Sequence, residues 1–344
     1  MTRWLRTLFD GFTLALIATV VLASLLPCEG RAAVAFDAIA IIGIALLFFL
    51  HGARLSREAI VAGMTNWRLH VLVLVSTFVL FPLLGLALKP LAAFVLTPTL
   101  YLGVLFLCCL PSTVQSSIAF TAIAHGNVPA AVCSASASNL IGVFLTPLLV
   151  ALLLATHGDS GSSLHAIGDI VLQLLLPFVL GHLLRPWIGA SVARWRGVLA
   201  YTDRGTVLLI VYVAFSASVV EGLWQQVPIE ALFSTFIIVV LLLTVVLTLT
   251  TWASRRLGFA RVDEIAAVFC GSKKSLASGV PMAKILFAGN PALGMIVLPV
   301  MLFHQVQLMA CAVLAQRYAR SRAGNASAPA DIAWHRARGQ AVGL

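Results

Sequence analysis

The sequence predicts an all-α membrane protein of about ten transmembrane helices. Hydrophobic residues are 61% of the 344 residues, charged residues are only 10%, and the mean hydropathy is +1.04. Because a soluble domain usually has about 25% charged residues, this chain lacks the surface of a soluble protein. A helix needs about 20 apolar residues to cross the hydrocarbon layer. Ten apolar stretches run approximately over 9–27, 33–51, 69–88, 98–125, 127–155, 165–187, 204–223, 228–253, 262–288 and 291–316.

The basic residues alternate between the two ends of these stretches. The ten-span assignment places all but five of the 22 Lys and Arg residues on one side; only Arg31, Lys89 and Lys284 lie on the other, and Lys273 and Lys274 fall inside a span. Cytoplasmic loops carry the excess of Lys and Arg in membrane proteins. We therefore expect both termini in the cytoplasm and, in a bacterium, the inner membrane. The net charge of +10 then faces acidic lipid and not nucleic acid.

Ten spans divide into two halves of five, with opposite orientations in the membrane. The predicted organisation is a first five-helix repeat over 1–155, an inverted second repeat over 156–316, and a polar cytoplasmic tail over 317–344 that we expect to be disordered. In transporters built from inverted repeats, the ligand site lies where corresponding helices are interrupted. The fourth span of each half departs most from apolarity here.

The first interruption follows Pro111, which removes a backbone donor from span 4. Five polar residues follow it closely: Ser112, Thr113, Gln115, Ser116 and Ser117. We expect them to line a cavity, where hydroxyls and freed carbonyls suit a cation and a half-helix N-terminus suits an anion. The alternative is that each hydroxyl bonds to its own helix or to a neighbouring one.

The second interruption, in span 9, contains two adjacent lysines. Its candidate binding residues are Ser272, Lys273, Lys274 and Ser275. A charged residue at the centre of a membrane helix costs about 2.5–3.5 kcal/mol, so both lysines must face protein or a water-filled cavity. We expect a polar crevice at mid-depth. The alternative is a short solvated loop between two half-length spans.

Spans 5 and 10 add further polar candidates. Ser134 and Ser138 are four residues apart and share a helix face, with Asn139 beside them. They either continue the span 4 site or pack against another helix. Span 10 contributes His304, Gln305 and Gln307; the histidine could serve as a proton relay, although a histidine more often simply donates to a nearby carbonyl.

No sequence motif indicates an enzyme, a resident cofactor or a metal site. The chain has no Walker loop, no HExxH and no GxSxG. Most of the six cysteines lie in apolar stretches without disulfide or zinc spacing. An efflux carrier for a thiophilic oxyanion, using Cys108, Cys109 and Cys270, stays open as a further possibility.

The two interruptions resemble the bile acid:sodium symporter family, and most closely its sodium/bile acid cotransporter 7-like branch with the bacterial members. The resemblance rests on the runs 109–128 and 271–275 and covers about 10–316. It implies ten helices in two inverted repeats, with discontinuous helices 4 and 9 crossing. It also implies a core domain of spans 3–5 and 8–10, a panel domain of spans 1, 2, 6 and 7, and alternating access by movement of one against the other.

The sodium ligands that the resemblance implies are largely replaced. The family's helix 5 hydroxyls align with Ala131 and Ala135, its glutamate with Phe269 and its glutamine with Lys273, while the helix 4 pair becomes two serines. We therefore expect no sodium site of the family type. Either the Lys273 ammonium occupies a former sodium position, and its deprotonation couples protons to transport, or Lys273 or Lys274 binds an anionic group of the substrate.

These observations predict a secondary active transporter of small organic anions, embedded in the lipid bilayer, with Na⁺ or H⁺ as possible coupling ion. The alternative is a non-transporting membrane sensor or regulator that keeps the fold. The sequence does not determine the oligomeric state.

Overall fold

The computed structural model describes residues 11–54, 66–155, 164–222 and 228–326, and this part of the chain is helical without a strand. Thirteen helices are named in chain order: α1 Gly11–Leu25, α2 Gly30–Arg54, α3 Trp67–Ala87, α4 Lys89–Val95, α5 Pro98–Cys109, α6 Gln115–Ile123, α7 Val128–Ala155, α8 Leu164–Arg194, α9 Arg196–Val220, α10 Ile229–Arg256, α11 Arg261–Gly271, α12 Leu276–Leu286 and α13 Leu293–Ala326.

Seven of the described helices are long and apolar enough to cross a membrane, namely α2, α3, α7, α8, α9, α10 and α13. The chain is therefore an integral, multi-pass membrane protein. The three other predicted spans coincide with shorter helices. The span predicted at 9–27 contains the 15-residue α1, the one at 98–125 contains α5 and α6, and the one at 262–288 contains α11 and α12.

The non-helical segments between α5 and α6 and between α11 and α12 touch each other. The backbone N–H of Ser275 donates to the carbonyl of Pro111 over 2.8 Å. Segments 110–114 and 272–275, which are far apart in sequence, therefore meet in one place. We call this place the helix-break junction.

Helix α3 contains a π-helical turn over Ser76–Leu80. The N–H of Phe81 donates to the carbonyl of Ser76 and not to that of Thr77. The next residue, Pro82, has no N–H to donate. The carbonyl of Thr77 thus lacks both its α-helical and its π-helical donor, and a buried carbonyl of this kind needs another partner.

Helices α2 and α8 pack closely through two glycines. A side-chain carbon at Gly52 would overlap the carbonyl oxygen of Phe178, and one at Gly181 would overlap that of Phe49. Small residues let membrane helices approach until their backbones touch. Helix α9 lies against both α1 and α2, and α8 also contacts α9, so these four helices form one packed group.

Helix α13 runs to Ala326, ten residues past the boundary at 316 where the polar tail was predicted to begin. The hydroxyl of Tyr318 donates to Glu264 over 3.2 Å, so this part of the predicted tail packs on α11 and is not disordered. The Ala- and Arg-rich composition after 316 favours helix and contains no proline before 326. The rest of the predicted tail, 327–344, lies outside the described residues, as do 156–163 at the predicted boundary between the halves.

We expect Gly181→Ala to destabilise the protein by about 1–3 kcal/mol, the usual cost of overpacking, because the new methyl group meets a backbone carbonyl that cannot move aside. Thermal unfolding in detergent measures the effect. Gly205→Ala in α9 is the control, since a carbon there has no neighbour within 4 Å. Equal melting temperatures for the two variants would contradict the close α2–α8 packing.

Candidate functional site

The end of α5 is the starting point of the site, because a broken helix leaves its last carbonyls without backbone donors. Thr146 Oγ1 donates to the carbonyl of Cys109 over 2.8 Å. The carbonyls of Cys108 and Leu110 each accept a hydrogen bond of 2.7 Å from Lys274 Nζ. With the bond from the N–H of Ser275 to the carbonyl of Pro111, the carbonyls of residues 108–111 are all satisfied from other parts of the chain.

The ammonium of Lys274 is held by three backbone carbonyls. Its third acceptor is the carbonyl that the π turn frees, that of Thr77, at 2.8 Å. The ring of Phe81 lies 4.1 Å from Nζ and offers its π face to the charge. All three N–H donors of the ammonium are thus used. We call these three carbonyls and the ring the carbonyl cage.

Gln307 of α13 fixes the backbone of the same lysine. The N–H of Lys274 donates to Gln307 Oε1, and Gln307 Nε2 donates to the carbonyl of Lys274, both over 2.9 Å. Such a pair of bonds replaces the helical partners that a residue between two helices lacks. The position of Lys274 is therefore fixed at both its backbone and its charge.

Lys273 lies in a different environment. Its Nζ is buried and has no hydrogen-bond acceptor among the described residues. It lies 4.0 Å from the ring centroid of Phe120 and 5.3 Å from that of Phe269. Two aromatic faces therefore replace the carbonyls that hold the neighbouring lysine.

Both lysines face protein, as charged groups at this depth must, but they do not line an open crevice. Lys273 is 0% and Lys274 is 1% exposed. The solvated-loop alternative is wrong for the same reason. Among the described residues, backbone carbonyls and aromatic rings surround the two ammonium groups in the place where the sequence pattern predicted a water-filled crevice.

Three serines of the predicted site satisfy the end of α11. Ser112 Oγ donates to the carbonyl of Cys270 over 2.5 Å, and Ser117 Oγ donates to that of Phe269 over 3.0 Å. Ser272 Oγ donates to a carbonyl one turn earlier in its own helix, over 2.6 Å. Ser112 and Ser117 join the two breaks, and in this structure all three hydroxyls follow the helix-bonding alternative.

The first turn of α6 carries the more accessible candidates. Thr113 shares hydrogen bonds with Ser116 at 2.7 Å and with Ser117 at 3.1 Å. Ser116 is partly exposed and Gln115 is exposed. These two side chains remain open to a ligand.

The span 5 candidates divide into two groups. Ser138 Oγ accepts from the N–H of Ser112 over 3.1 Å and so reaches the helix-break junction, while Asn139 Oδ1 accepts from Ser278 Oγ in the first turn of α12 over 2.8 Å. Ser134 instead shares a 2.6 Å hydrogen bond with His70 of α3. Ser275 caps α12 by accepting from the N–H of Ser278 over 3.2 Å.

The span 10 candidates lie at the edge of the site. His304 Nδ1 and Gln307 Nε2 are 3.0 Å apart, which connects the histidine to the Lys274 backbone. Gln305 points elsewhere and accepts from Thr13 of α1 over 2.9 Å. None of the four cage groups, the carbonyls of Thr77, Cys108 and Leu110 and the ring of Phe81, was predicted for this role; Pro82 was the available signal for the free carbonyl of Thr77.

Three of the positions aligned with family sodium ligands offer no oxygen side chain. Ala131, Ala135 and Phe269 are each 0% exposed, and the Phe269 ring packs against Phe120 and Tyr318. A hard cation needs several oxygen ligands. These positions supply apolar packing instead.

Comparison with known proteins matches a model of the SBF-like CPA transporter family over residues 10–320. The chain belongs to this family. A Pseudomonas aeruginosa protein described as uncharacterized is 64% identical over 326 residues, which cover 95% of this chain and 98% of that protein. YfeH of Escherichia coli, named as a candidate symporter, is 55% identical over 313 residues, covering 91% of this chain and 94% of YfeH.

Among vertebrate relatives, rat sodium/bile acid cotransporter 7 is 28% identical over 275 residues, which cover 79% of this chain and 81% of the rat protein. The resemblance to the bile acid:sodium symporters is therefore confirmed, including the branch. The family is a transporter family, and YfeH and the rat protein are named as a symporter and a cotransporter, in agreement with the prediction that the chain is not an enzyme.

We expect Lys274→Met and Lys273→Met to differ sharply in stability. Loss of the Lys274 ammonium leaves three buried carbonyls without donors, each worth about 1–3 kcal/mol, so this variant should melt many degrees lower. Loss of the Lys273 ammonium removes a buried charge that has no acceptor and places a thioether among aromatic rings, so its stability should stay within about 1 kcal/mol of the parent.

Melting in detergent at matched concentration measures both effects, with exposed Lys89→Met as the control. A Lys274→Met variant as stable as Lys89→Met would show that the carbonyl cage does not hold the charge as described.

Proposed function

We propose that this protein is a secondary active transporter of small organic anions that works by alternating access and does not bind sodium at its helix breaks. Membership of a transporter family supports the transport class. The carbonyl cage around Lys274 carries the finer part of the proposal, because a fixed positive charge fills the place where freed carbonyls converge.

The proposed architecture has ten spans in two inverted repeats, with α5–α6 and α11–α12 as the crossing, discontinuous fourth and ninth spans. The panel is the packed group α1, α2, α8 and α9, and the core contains α3 to α7 and α10 to α13. The alternation of basic residues supports cytoplasmic termini. The bacterial relatives support the inner membrane.

Sodium is disfavoured at the junction for two reasons. The three cage carbonyls already accept from an ammonium. A sodium ion about 4 Å from that charge would be repelled by about 4 kcal/mol at an effective dielectric of 20. The sequence suggested Lys273 for the role of built-in cation; the hydrogen bonds favour Lys274 instead. Protons then remain as the candidate coupling ion.

Polar contacts between the proposed panel and core would have to break during a cycle. Lys284 of α12 forms an ion pair with Asp37 of α2. Ser218 of α9 accepts from the N–H of Gly294 over 3.0 Å and donates to the carbonyl of Pro291 over 2.8 Å. These contacts lie at the end assigned to the non-cytoplasmic side, so they support a state that is closed there.

The coupling proposal is tested by flux in proteoliposomes. We expect concentrative uptake of a carboxylate or sulfonate substrate, found by screening, to be unchanged when Na⁺ is replaced by choline. A pH gradient should change the uptake if protons are coupled. Strict dependence of uptake on Na⁺ would overturn the built-in cation, and stoichiometric binding without any flux would favour the sensor.

The ion pair between Lys284 and Asp37 gives a separate prediction. An ion pair at a partly exposed site is worth about 1 kcal/mol or less, so Asp37→Asn and Lys284→Met should each change the flux rate by no more than about fivefold. The exchanged pair, Asp37→Lys with Lys284→Asp, should return the rate toward that of the parent. A double-mutant cycle on flux measures the coupling, and strictly additive effects would show that the pair does not gate.

The thiol-based efflux reading has no support from accessibility. Cys108, Cys109 and Cys270 are each 0% exposed. The proposed anion transport uses none of these three thiols, so we expect their substitution to leave it unchanged.

A further inference from the structure

The unused charge at the helix-break junction is that of Lys273. An ammonium has three donors, and none of those of Lys273 has an acceptor among the described residues. Its side chain is nevertheless completely buried. Aromatic faces compensate only part of the lost hydration of such a charge. A group that brings a negative charge to this ammonium would therefore be stabilised strongly.

The two rings over Lys273 differ in freedom. Phe269 is 0% exposed, and the ring of Tyr318 packs edge-on against it with centroids 6.1 Å apart. Phe120 is partly exposed and is the nearer ring, at 4.0 Å. It covers the ammonium from the α6 side. A change of its side-chain rotamer would open Lys273 without moving the packed ring beneath.

The same side of α6 has two further features that suit an anion. Ser116, one turn before Phe120, shares its helix face and is partly exposed. The helix begins at Gln115, so its positive N-terminal end lies about 7.5 Å along the axis from Phe120, at 1.5 Å per residue. The other side chains here are mainly apolar, since Phe120 and Leu314 pack on a buried cluster of aliphatic and aromatic residues with Cys311.

We propose that Lys273 binds the negative group of the substrate, that Phe120 is the movable cover of this subsite, and that the ligand is a singly charged carboxylate or sulfonate with an apolar body. One ammonium matches one negative charge, and the rings and apolar cluster match the body. The inference rests on the proposed function only in treating the bound ligand as the transported substrate. Binding of the ligand at Lys273 does not depend on transport. The two lysines thus have separate roles, one as a fixed cation and one as a ligand.

Three probes with one common body test the charge requirement: phenylbutyrate, phenylbutanol and phenylbutylamine. Each is added to the full chain in uncharged detergent and sodium-free buffer, and binding is measured by calorimetry and thermal shift. We expect the carboxylate alone to bind and to raise the melting temperature, while the alcohol and the amine leave it unchanged.

Variants of the two residues complete the test. Lys273→Met and Lys273→Gln should each weaken phenylbutyrate binding at least about tenfold, while Lys89→Met, at an exposed position, should bind like the parent. Phe120→Leu should bind several-fold more tightly, because the ring no longer competes with the ligand for the ammonium.

The subsite is overturned if the parent binds none of the three probes, if the alcohol binds as tightly as the carboxylate, or if both Lys273 variants bind like the parent. Flux separates this result from the proposed function. If binding depends on Lys273 but the protein shows no flux, the subsite proposal stands and the transport proposal is wrong. If the parent shows anion flux and the Lys273 variants retain it, the subsite proposal is wrong and the transport proposal stands.

Discussion

A helix that breaks inside hydrocarbon leaves carbonyls that water cannot reach, and the satisfaction of those carbonyls organises the centre of this protein. The last carbonyls of α5 accept from Thr146, Lys274 and Ser275, and those of α11 accept from Ser112 and Ser117. Each break thus supplies donors to the other. Neither can be exposed to lipid or moved alone without leaving polar groups unpaired, which explains why the two segments meet.

The carbonyl cage shows most clearly that buried carbonyls need donors. Helix α3 contributes one carbonyl and the end of α5 contributes two, and their negative ends converge on one point inside the protein. Some positive charge must occupy that point. A lysine supplies it covalently, so the charge stays through every state of the protein in which the cage is intact. A dissociable ion would instead couple its own gradient to the conformational change.

The adjacent position in sequence has the opposite physical character. Lys273 shares the desolvation of its neighbour but not its acceptors. An under-compensated buried charge is costly for folding and is therefore a pointer to function. Next to it, α6 presents a partly exposed surface, whereas α11 and α13 enclose the other side with packed apolar side chains. Any ligand must approach from α6.

Much of this arrangement could be predicted from the sequence, for a simple reason. Hydrocarbon thickness fixes the length of a span, so hydropathy identifies a multi-pass membrane protein and Pro111 and the lysine pair identify the disturbed segments. What the sequence could not give was the partner of each polar group. Residues 272–275 are not helical, so no periodicity tells where Lys273 and Lys274 point.

Tertiary structure decided that assignment. The acceptor at Thr77 exists only because a π turn and Pro82 remove its donors and because α3 lies beside the breaks. The serines that looked like a cavity lining became partners of α11 once the two segments met. Composition determined that this chain lies in a membrane and that its polar residues must find partners there. Only the contact between distant helices determined which partners they found, because hydrogen bonds depend on position and direction in space and not on order along the chain.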